Sequence, residues 1–171
     1  MPLDVGRIFA QFVQLYESNE DAVKSELATF SEVFPDVSFW SNNVNGQGYD
    51  LVLIGRVDSA TINVDRIQER LDRPDHQRVL ESIGDVGFHS AVELLATYLG
   101  RPSDLGAWLE DAQINRDANL RLQYLGGMGL NAGTHEIIFR ELLKHRRFPS
   151  EFFVGDSARV QALKTIVMNR R

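Results

Sequence analysis

Residues 7–16, RIFAQFVQLY, decide how the first part of this chain folds. The stretch is rich in β-branched and aromatic residues, it carries a single charge at Arg7, and it is short for a helix. This composition is typical of a strand that is covered on both faces, as in a parallel sheet. We therefore predict a buried strand here.

The residues after this strand predict a helix. Ser18 to Asp21 provide a capping side chain and acids for a first helical turn. Apolar residues then recur every three or four positions and predict one buried helical face: Val23, Leu27, Phe30 and Phe34. Pro35 is expected to end the helix, because proline cannot continue it.

Two further strands are predicted over residues 37–40 and 49–55. Asn45-Gly46 between them is a turn signal, so the two strands are expected to form an antiparallel hairpin. The order strand, helix, strand, strand indicates an α/β segment over residues 1–60.

Residues 61–171 have a helical period and predict an all-helical segment that packs on the first one. Helices are predicted to begin near these residues: Asn63, Pro74, Ser90, Ser103, Thr134 and Asp156. The helix after Ser90 is expected to reach a cap at Gly100.

The composition limits the classes of protein that this chain can represent. Its 171 residues are 43% hydrophobic and 25% charged, as expected for one soluble globular domain. The absence of cysteine excludes a disulfide scaffold, a cysteine-ligated zinc site and a thiol nucleophile. A net charge of -6 argues against a nucleic-acid partner. No apolar run is long enough to span a membrane and residues 1–4 do not resemble a signal peptide, so we expect a cytoplasmic protein without a membrane partner.

Two stretches of the sequence resemble functional motifs, but each lacks a residue or element that the function requires. Gly127, Gly129 and Gly133 resemble a dinucleotide-binding loop, but no second strand with an acidic residue follows them, so we interpret them as a glycine-rich connection. His135-Glu136 lacks the second histidine of a zinc protease motif, since residue 139 is Phe. The residues therefore predict no catalytic group and no metal site.

Candidate substrate-pocket residues lie near the end of the first strand and around the hairpin. Gln11, Gln14 and Glu17 belong to the carboxyl half of the strand, the side on which open α/β sheets bind ligands. Gln11 either contacts a polar ligand or bonds to a neighbouring loop, because a buried amide needs hydrogen-bond partners. Trp40 and Tyr49 flank the hairpin turn and either form a pocket wall or belong to the core.

The segment Asn115-Arg116-Asp117 lies in a predicted loop between helices. Its charges and amides either order a capped turn or close over a site. We predict that any site lies beyond Gln11, Gln14 and Trp40, with this loop and its Asn115 and Asp117 side chains as the roof.

Several short stretches, in the same order, resemble the C-terminal half of the spermidine synthase family. They are GRIFAQFVQLYE (residues 6–17), VKSELATF (23–30), VFP (33–35) and GYDLVLIG (48–55). INRDANLRL (114–122) is similar to a tail segment of the large bacterial synthase-like proteins. The resemblance covers about residues 6–131. It implies part of a methyltransferase-like, Rossmann-like sheet of about three strands, with a role in polyamine biosynthesis.

The family transfers an aminopropyl group from decarboxylated S-adenosylmethionine to putrescine. The resemblance makes residues 7–16, 36–42 and 49–55 the fifth, sixth and seventh strands. The nucleotide-binding loop, the ribose-binding acid and the catalytic Asp lie before these strands in the family, so no cofactor is expected on this chain. Gln11 matches the glutamine of a Gln-x-Glu motif that holds the amine, whereas Val13 stands at the position of the acid.

The resemblance therefore implies a chain that is not an autonomous enzyme but part of an aminopropyltransferase-like or methyltransferase-like assembly. The alternative is a non-catalytic oligomerisation or ligand-binding module derived from the same fold. In either case the outer edge of the first strand would expose unpaired backbone groups. We predict that a second copy, a chain that supplies the nucleotide-binding half, or the chain's own helices cover this edge.

Overall fold

The computed structural model describes residues 8–44, 47–128 and 133–169, which form a mixed α/β structure. Their strands are β1 (Ile8–Gln14), β2 (Asp36–Val44), β3 (Gln47–Arg56), β4 (Ile62–Asn63), β5 (Tyr98–Gly100) and β6 (Phe153–Val154). Their helices are α1 (Glu20–Val33), α2 (Val64–Leu71), α3 (Gln77–Gly84), α4 (Ala91–Leu95), α5 (Arg121–Met128), α6 (His135–His145) and α7 (Ser157–Asn169), with a short 3-10 helix at Pro74–His76.

The chain divides into two compact units. The first unit comprises the described residues of 1–59 and 99–147, and the second comprises those of 60–98 and 148–171. The predicted segment boundary near residue 60 falls where the chain leaves the first unit, and residues 99–147 return to that unit.

The first unit contains a sheet with the strand order β1-β3-β2-β5. The predicted β2–β3 hairpin is confirmed, although its Asn45-Gly46 turn lies outside the described residues. β3 is antiparallel to both β1 and β2. β1 and β2 therefore run in the same direction and are connected through α1, which gives a strand–helix–strand unit with β3 inserted between its strands.

The prediction that β1 is covered on both faces, as in a parallel sheet, is wrong for the described chain. β1 lies at the edge of the sheet and pairs only with the antiparallel strand β3 among the described residues. Val13 is buried on the face that packs on α1, whereas Ile8 and Phe12 on the opposite face are 67% and 56% exposed. The composition correctly indicated an apolar strand, but it did not show that only one face of the strand would be buried.

The prediction for α1 is confirmed. The Asn19 side chain accepts a hydrogen bond from the Ala22 backbone N–H at 2.9 Å, and Glu20 and Asp21 occupy the first turn. The helix ends at Val33, before Pro35. Its predicted apolar face packs into one core with the sheet and α6, a core that includes Val13, Val23, Leu27, Phe30, Phe39, Leu51, Leu53, Ile138, Phe139 and Leu142.

The prediction that residues 61–171 are all-helical is wrong, because this segment contains α2 to α7 but also β4, β5 and β6. In the second unit, β4 pairs in parallel with β6. Three of the predicted caps are confirmed there: Asn63 accepts from Arg66 N–H, Ser90 from Glu93 N–H, and Asp156 from Ala158 N–H. Its buried residues include Val64, Leu71, Leu95, Phe152, Phe153, Leu163 and Val167.

Two predicted elements differ in the structure. The helix after Ser90 ends at Leu95, and Gly100 lies in β5 instead of capping a helix. Residues 103–109 form turns and no α-helix, although Leu105 and Trp108 are buried as a helical face would require. Gly127 of the glycine-rich segment lies in α5, and residues 129–132 of that segment lie outside the described residues.

Candidate functional site

A groove of about 440 Å³ lies in the first unit between β1, α1 and the segment that leads into α5. We call it the aromatic groove. Its lining combines phenylalanine and aliphatic side chains with a few polar groups: Phe9, Gln11, Glu26, Thr29, Phe30, Val33, Phe34, Asn115 and Leu122. An apolar cleft with a small number of polar groups is the usual form of a small-molecule site.

Strand alternation places Gln11 in this groove. Phe9, Gln11 and Val13 share one face of β1, because alternate residues of a strand point to the same side. Phe9 stacks on Phe34 of the α1 C-terminus at 5.6 Å, which shows that this face is turned to the helix. Gln11 therefore points towards α1 and not beyond the carboxyl end of the strand.

Gln11 and Glu26 of α1 both line the groove, and a polar interaction between their side chains favours the charged form of Glu26. Burial raises the pKa of Glu26 to about 7, and the interaction with Gln11 offsets only part of this effect. A carboxyl group with such a pKa exchanges its proton near neutral pH, which suits it for proton transfer or for binding a cation.

The aromatic walls depend on a close approach between α1 and the sheet. Phe30 and Phe34 pack at 4.7 Å between ring centres. A Cβ atom at Gly55 of β3 would lie 2.5 Å from the Phe34 ring and 2.9 Å from the Phe30 ring. The absence of a side chain at Gly55 therefore allows both rings to sit against the sheet.

Asn115 is held at the groove by hydrogen bonds to two elements. Its backbone N–H donates to Thr29 Oγ1 at 2.8 Å, and its Oδ1 accepts from the Leu122 N–H at 2.9 Å. Among the residues that the structure describes, none accepts a hydrogen bond from its Nδ2 amide. Arg116 pairs with Glu32 of α1 at 2.7 Å on the surface.

A second polar group of residues, which we call the strand-end cluster, lies at the other end of β1. The register places Gln14, Asp50 and Asn42 side by side across β1, β3 and β2. Tyr16 and Tyr49 stack with their ring centres 4.3 Å apart. Gln14 lies at the carboxyl end of β1, and the Tyr16–Tyr49 stack lies just beyond it.

Asp50 is the most buried member of the strand-end cluster, at 3% exposure. Burial raises its pKa, and a long hydrogen bond from the Asn42 amide, at 3.5 Å, offsets part of the change. Its Oδ1 forms no hydrogen bond with any described group.

The remaining predicted site residues lie elsewhere. Trp40 is buried and its indole N–H donates to Ser38 Oγ at 2.9 Å. Glu17 is exposed and has a left-handed backbone with φ of 54°. Asp117 is exposed on the surface loop and does not line the groove. Of the predicted residues, the structure thus brings together Gln11 and Asn115, which both line the aromatic groove.

Glu26 is the groove residue that the sequence analysis did not identify. It lies three residues after Val23 and four before Phe30, at the flank of the apolar face of α1. A carboxylate beside a buried helical face is a signal that can be found in the sequence, because buried carboxylates are rare unless they have partners.

Searches of protein-family models, of curated proteins and of solved structures found no significant match to this chain. Among the described residues, no three histidine or carboxylate side chains are grouped so as to hold a metal ion. No helix within the described ranges has the length and apolarity to cross a membrane.

Proposed function

We propose that this chain is the amine-binding part of an aminopropyltransferase-like assembly and that the aromatic groove holds the amine. The observation that carries the proposal is that the Gln11 amide and the Glu26 carboxyl line one groove together with the rings of Phe9, Phe30 and Phe34. The family assignment itself rests on the sequence resemblance described above.

The chemistry of the groove suits a diamine such as putrescine. An ammonium group donates hydrogen bonds to a carboxylate and to amide oxygens, which Glu26 and Gln11 provide. Phe9, Phe30 and Phe34 offer ring faces for the methylene groups, and a cation near a ring face is also attracted to it. Ion pairing with the ammonium would lower the pKa of Glu26 and favour its charged form.

Glu26 also supplies a carboxylate, the group that the family has at the position of Val13 and that this chain lacks there. In the family a carboxylate accompanies the glutamine, whereas Val13 here has no hydrogen-bonding group. Glu26 reaches Gln11 from α1 and gives the pair a carboxylate from another element. As the carboxylate that lines the groove, Glu26 would also be the acceptor for the proton that an ammonium must lose before its nitrogen acts as a nucleophile.

Decarboxylated S-adenosylmethionine, the donor that the resemblance implies, would supply the electrophilic carbon. The described residues do not fit it, because the aromatic groove has a single acid paired with Gln11, and no glycine-rich loop opens into it. Another polypeptide segment would therefore bind this donor.

The outer edge of β1 is the proposed place of attachment for that segment. From Ile8 to Gln14 the strand carries no charge, and no described strand pairs with its outer edge. An apolar edge strand without lysine or proline is a template for pairing with another chain. Pairing there would complete the sheet beside the aromatic groove.

Isothermal titration of the chain with putrescine at pH 8 tests the proposal. We expect binding, a loss of affinity of about tenfold or more in Glu26→Gln, and unchanged affinity in the control Glu69→Gln, an exposed acid of the second unit. Equal affinity in all three proteins, or no binding to any of them, would show that the groove is not an amine site. The chain alone should show no thermal shift with decarboxylated S-adenosylmethionine.

The exposed edge also favours a second candidate, a non-catalytic oligomerisation module in which β1 pairs with β1 of a second copy. This candidate predicts a concentration-dependent dimer that forms without any ligand. The first candidate predicts amine binding whatever the oligomeric state, so titration and light scattering distinguish the two.

A further inference from the structure

A second pocket, of about 240 Å³, lies in the first unit between the start of α1 and the start of α5. We call it the α1–α5 pocket. Its lining residues are two acids, two bases and three uncharged residues: Asp21, Asp111, Lys24, Arg121, Ala112, Gln113 and Leu125. It shares none of them with the aromatic groove.

Two of the four charged side chains that line the pocket, Lys24 and Asp111, form an ion pair with each other. Lys24 Nζ lies 2.9 Å from Asp111 Oδ1 and 3.1 Å from Glu20 Oε1, and it sits 5.3 Å from the centre of the Trp108 ring. Burial alone would lower the pKa of Lys24, but the hydrogen bonds to Asp111 and Glu20 outweigh it and raise the pKa. Lys24 is therefore a fixed structural cation with its own counter-ions.

The other two charges, Asp21 and Arg121, form no ion pair with any group in the described part of the chain. The Nε of Arg121 is buried and has no hydrogen-bond partner there. A buried guanidinium N–H without a partner is unfavourable, so native structures rarely keep one. The pocket thus presents one unused cation and one unused anion beside the apolar side chains of Ala112 and Leu125.

We propose that the α1–α5 pocket binds a free α-amino acid with a small or medium-sized apolar side chain. Its carboxylate would accept hydrogen bonds from Arg121, whose planar guanidinium matches a carboxylate in shape. Its ammonium would pair with Asp21, and its side chain would contact Leu125 and Ala112. The pocket is smaller than the ~300–1,000 Å³ typical of drug-sized ligands, which agrees with a ligand of this size.

Titration of the full chain with L-alanine, L-valine, L-leucine and L-methionine tests the proposal. We expect at least one of them to bind. For the amino acid that binds best, the analogue that lacks the ammonium and the analogue that lacks the carboxylate should each bind at least tenfold more weakly. For L-leucine these analogues are 4-methylpentanoate and 3-methylbutan-1-amine. Equal binding of the carboxylate analogue would mean a simple anion site and overturn the proposal, as would no binding of any of the four amino acids.

Variants locate the site. Arg121→Gln and Asp21→Asn should each weaken the binding at least tenfold, and Arg121→Lys should restore only part of it because lysine lacks the planar fork. Arg116→Gln is the matched control, since Arg116 is exposed and paired with Glu32 away from this pocket. Circular dichroism would verify that each variant is folded. Binding that survives Arg121→Gln in a folded protein would place the ligand elsewhere and contradict the proposal. Putrescine binding in the aromatic groove is unaffected by either outcome.

Discussion

Gln11 of β1 and Glu26 of α1 line the same groove between the edge strand and the helix that follows it, and the Gln11 side chain favours the charged form of the Glu26 carboxyl. Burial of this carboxyl raises its pKa from 4.5 to about 7. The pair therefore combines a polar contact inside an aromatic groove with a group that titrates near neutral pH.

The raised pKa of Glu26 predicts a specific dependence of stability on pH. Between pH 4.5 and 7 the folded state binds more protons than the unfolded state, so the free energy of unfolding should decrease as the pH rises through this range. We expect the titration of Glu26 to lower the free energy of unfolding by about 1–2 kcal/mol over this range. This is less than the full pKa shift would give, because the side chain is partly solvent-exposed. In Glu26→Gln this contribution should be absent.

Urea denaturation of wild type, Glu26→Gln and Glu69→Gln from pH 5 to 8 measures this effect. Glu69→Gln should keep the wild-type slope. If Glu26→Gln and wild type lost stability in parallel as the pH rose, the raised pKa of Glu26 would be refuted.

Amine affinity should also depend on pH. Putrescine stays doubly charged over this range, as primary amines titrate near pH 10. The charged form of Glu26 binds an ammonium better than the neutral form, so affinity should increase from pH 6 to 8 and level off above the pKa of about 7. Calorimetric titrations at pH 6, 7 and 8 test this, and a flat profile would argue against Glu26 as the cation ligand.

Gly55→Ala should close the aromatic groove and strain its walls. The added Cβ would meet the Phe34 ring at 2.5 Å, so that ring or the helix end must move. We expect a destabilisation of about 1–3 kcal/mol by urea denaturation and a clear loss of putrescine affinity. Gly126→Ala is the matched control, because a Cβ there has no neighbour within 4 Å. Unchanged binding in Gly55→Ala would place the amine outside this groove.

Phe12→Lys should abolish pairing at the β1 edge with little effect on the stability of the chain. Phe12 is 56% exposed, so its replacement removes few internal contacts, and surface substitutions usually change stability by about 0.5 kcal/mol or less. If the wild-type chain self-associates through this edge, light scattering over a range of concentrations should show the dimer only for wild type. A dimer that persists in Phe12→Lys would use another surface.

Local signals in the sequence predicted much of the first unit. Asn19, Pro35 and the spacing of Val23, Leu27 and Phe30 determine α1 through capping, a backbone restriction and burial, all of which act within a few residues. The hairpin between β2 and β3 followed from its turn and strand residues in the same way.

Elements that depend on distant contacts were not predicted. Leu105 and Trp108 have helical spacing, but their burial is achieved by turns, with the Trp108 indole N–H bound to Glu20 at 2.9 Å. β5 and the β4–β6 pair have only two or three residues each, which is too short for a periodic signal. Tertiary packing determines the conformation of such segments, and a short stretch of sequence does not reveal which distant residues it will contact.

The candidate site was predicted in part for the same reason. Gln11 and Asn115 could be selected because each is a polar residue in an informative context. Their proximity to each other and to Glu26 depends on how 114–122 packs on α1, through the Asn115 N–H to Thr29 contact. Strand alternation places Gln11 and Gln14 on opposite faces of β1, which separates two residues that the sequence analysis had assigned to one pocket.

The most direct test of the proposed amine binding in the aromatic groove is a titration of the Glu26 side-chain carboxyl, followed by carbon NMR with and without saturating putrescine. We predict a midpoint near pH 7 for the free protein and a lower midpoint with the diamine, because the ammonium stabilises the carboxylate. A midpoint near 4.5 in the free protein, or one that putrescine leaves unchanged, would contradict this account.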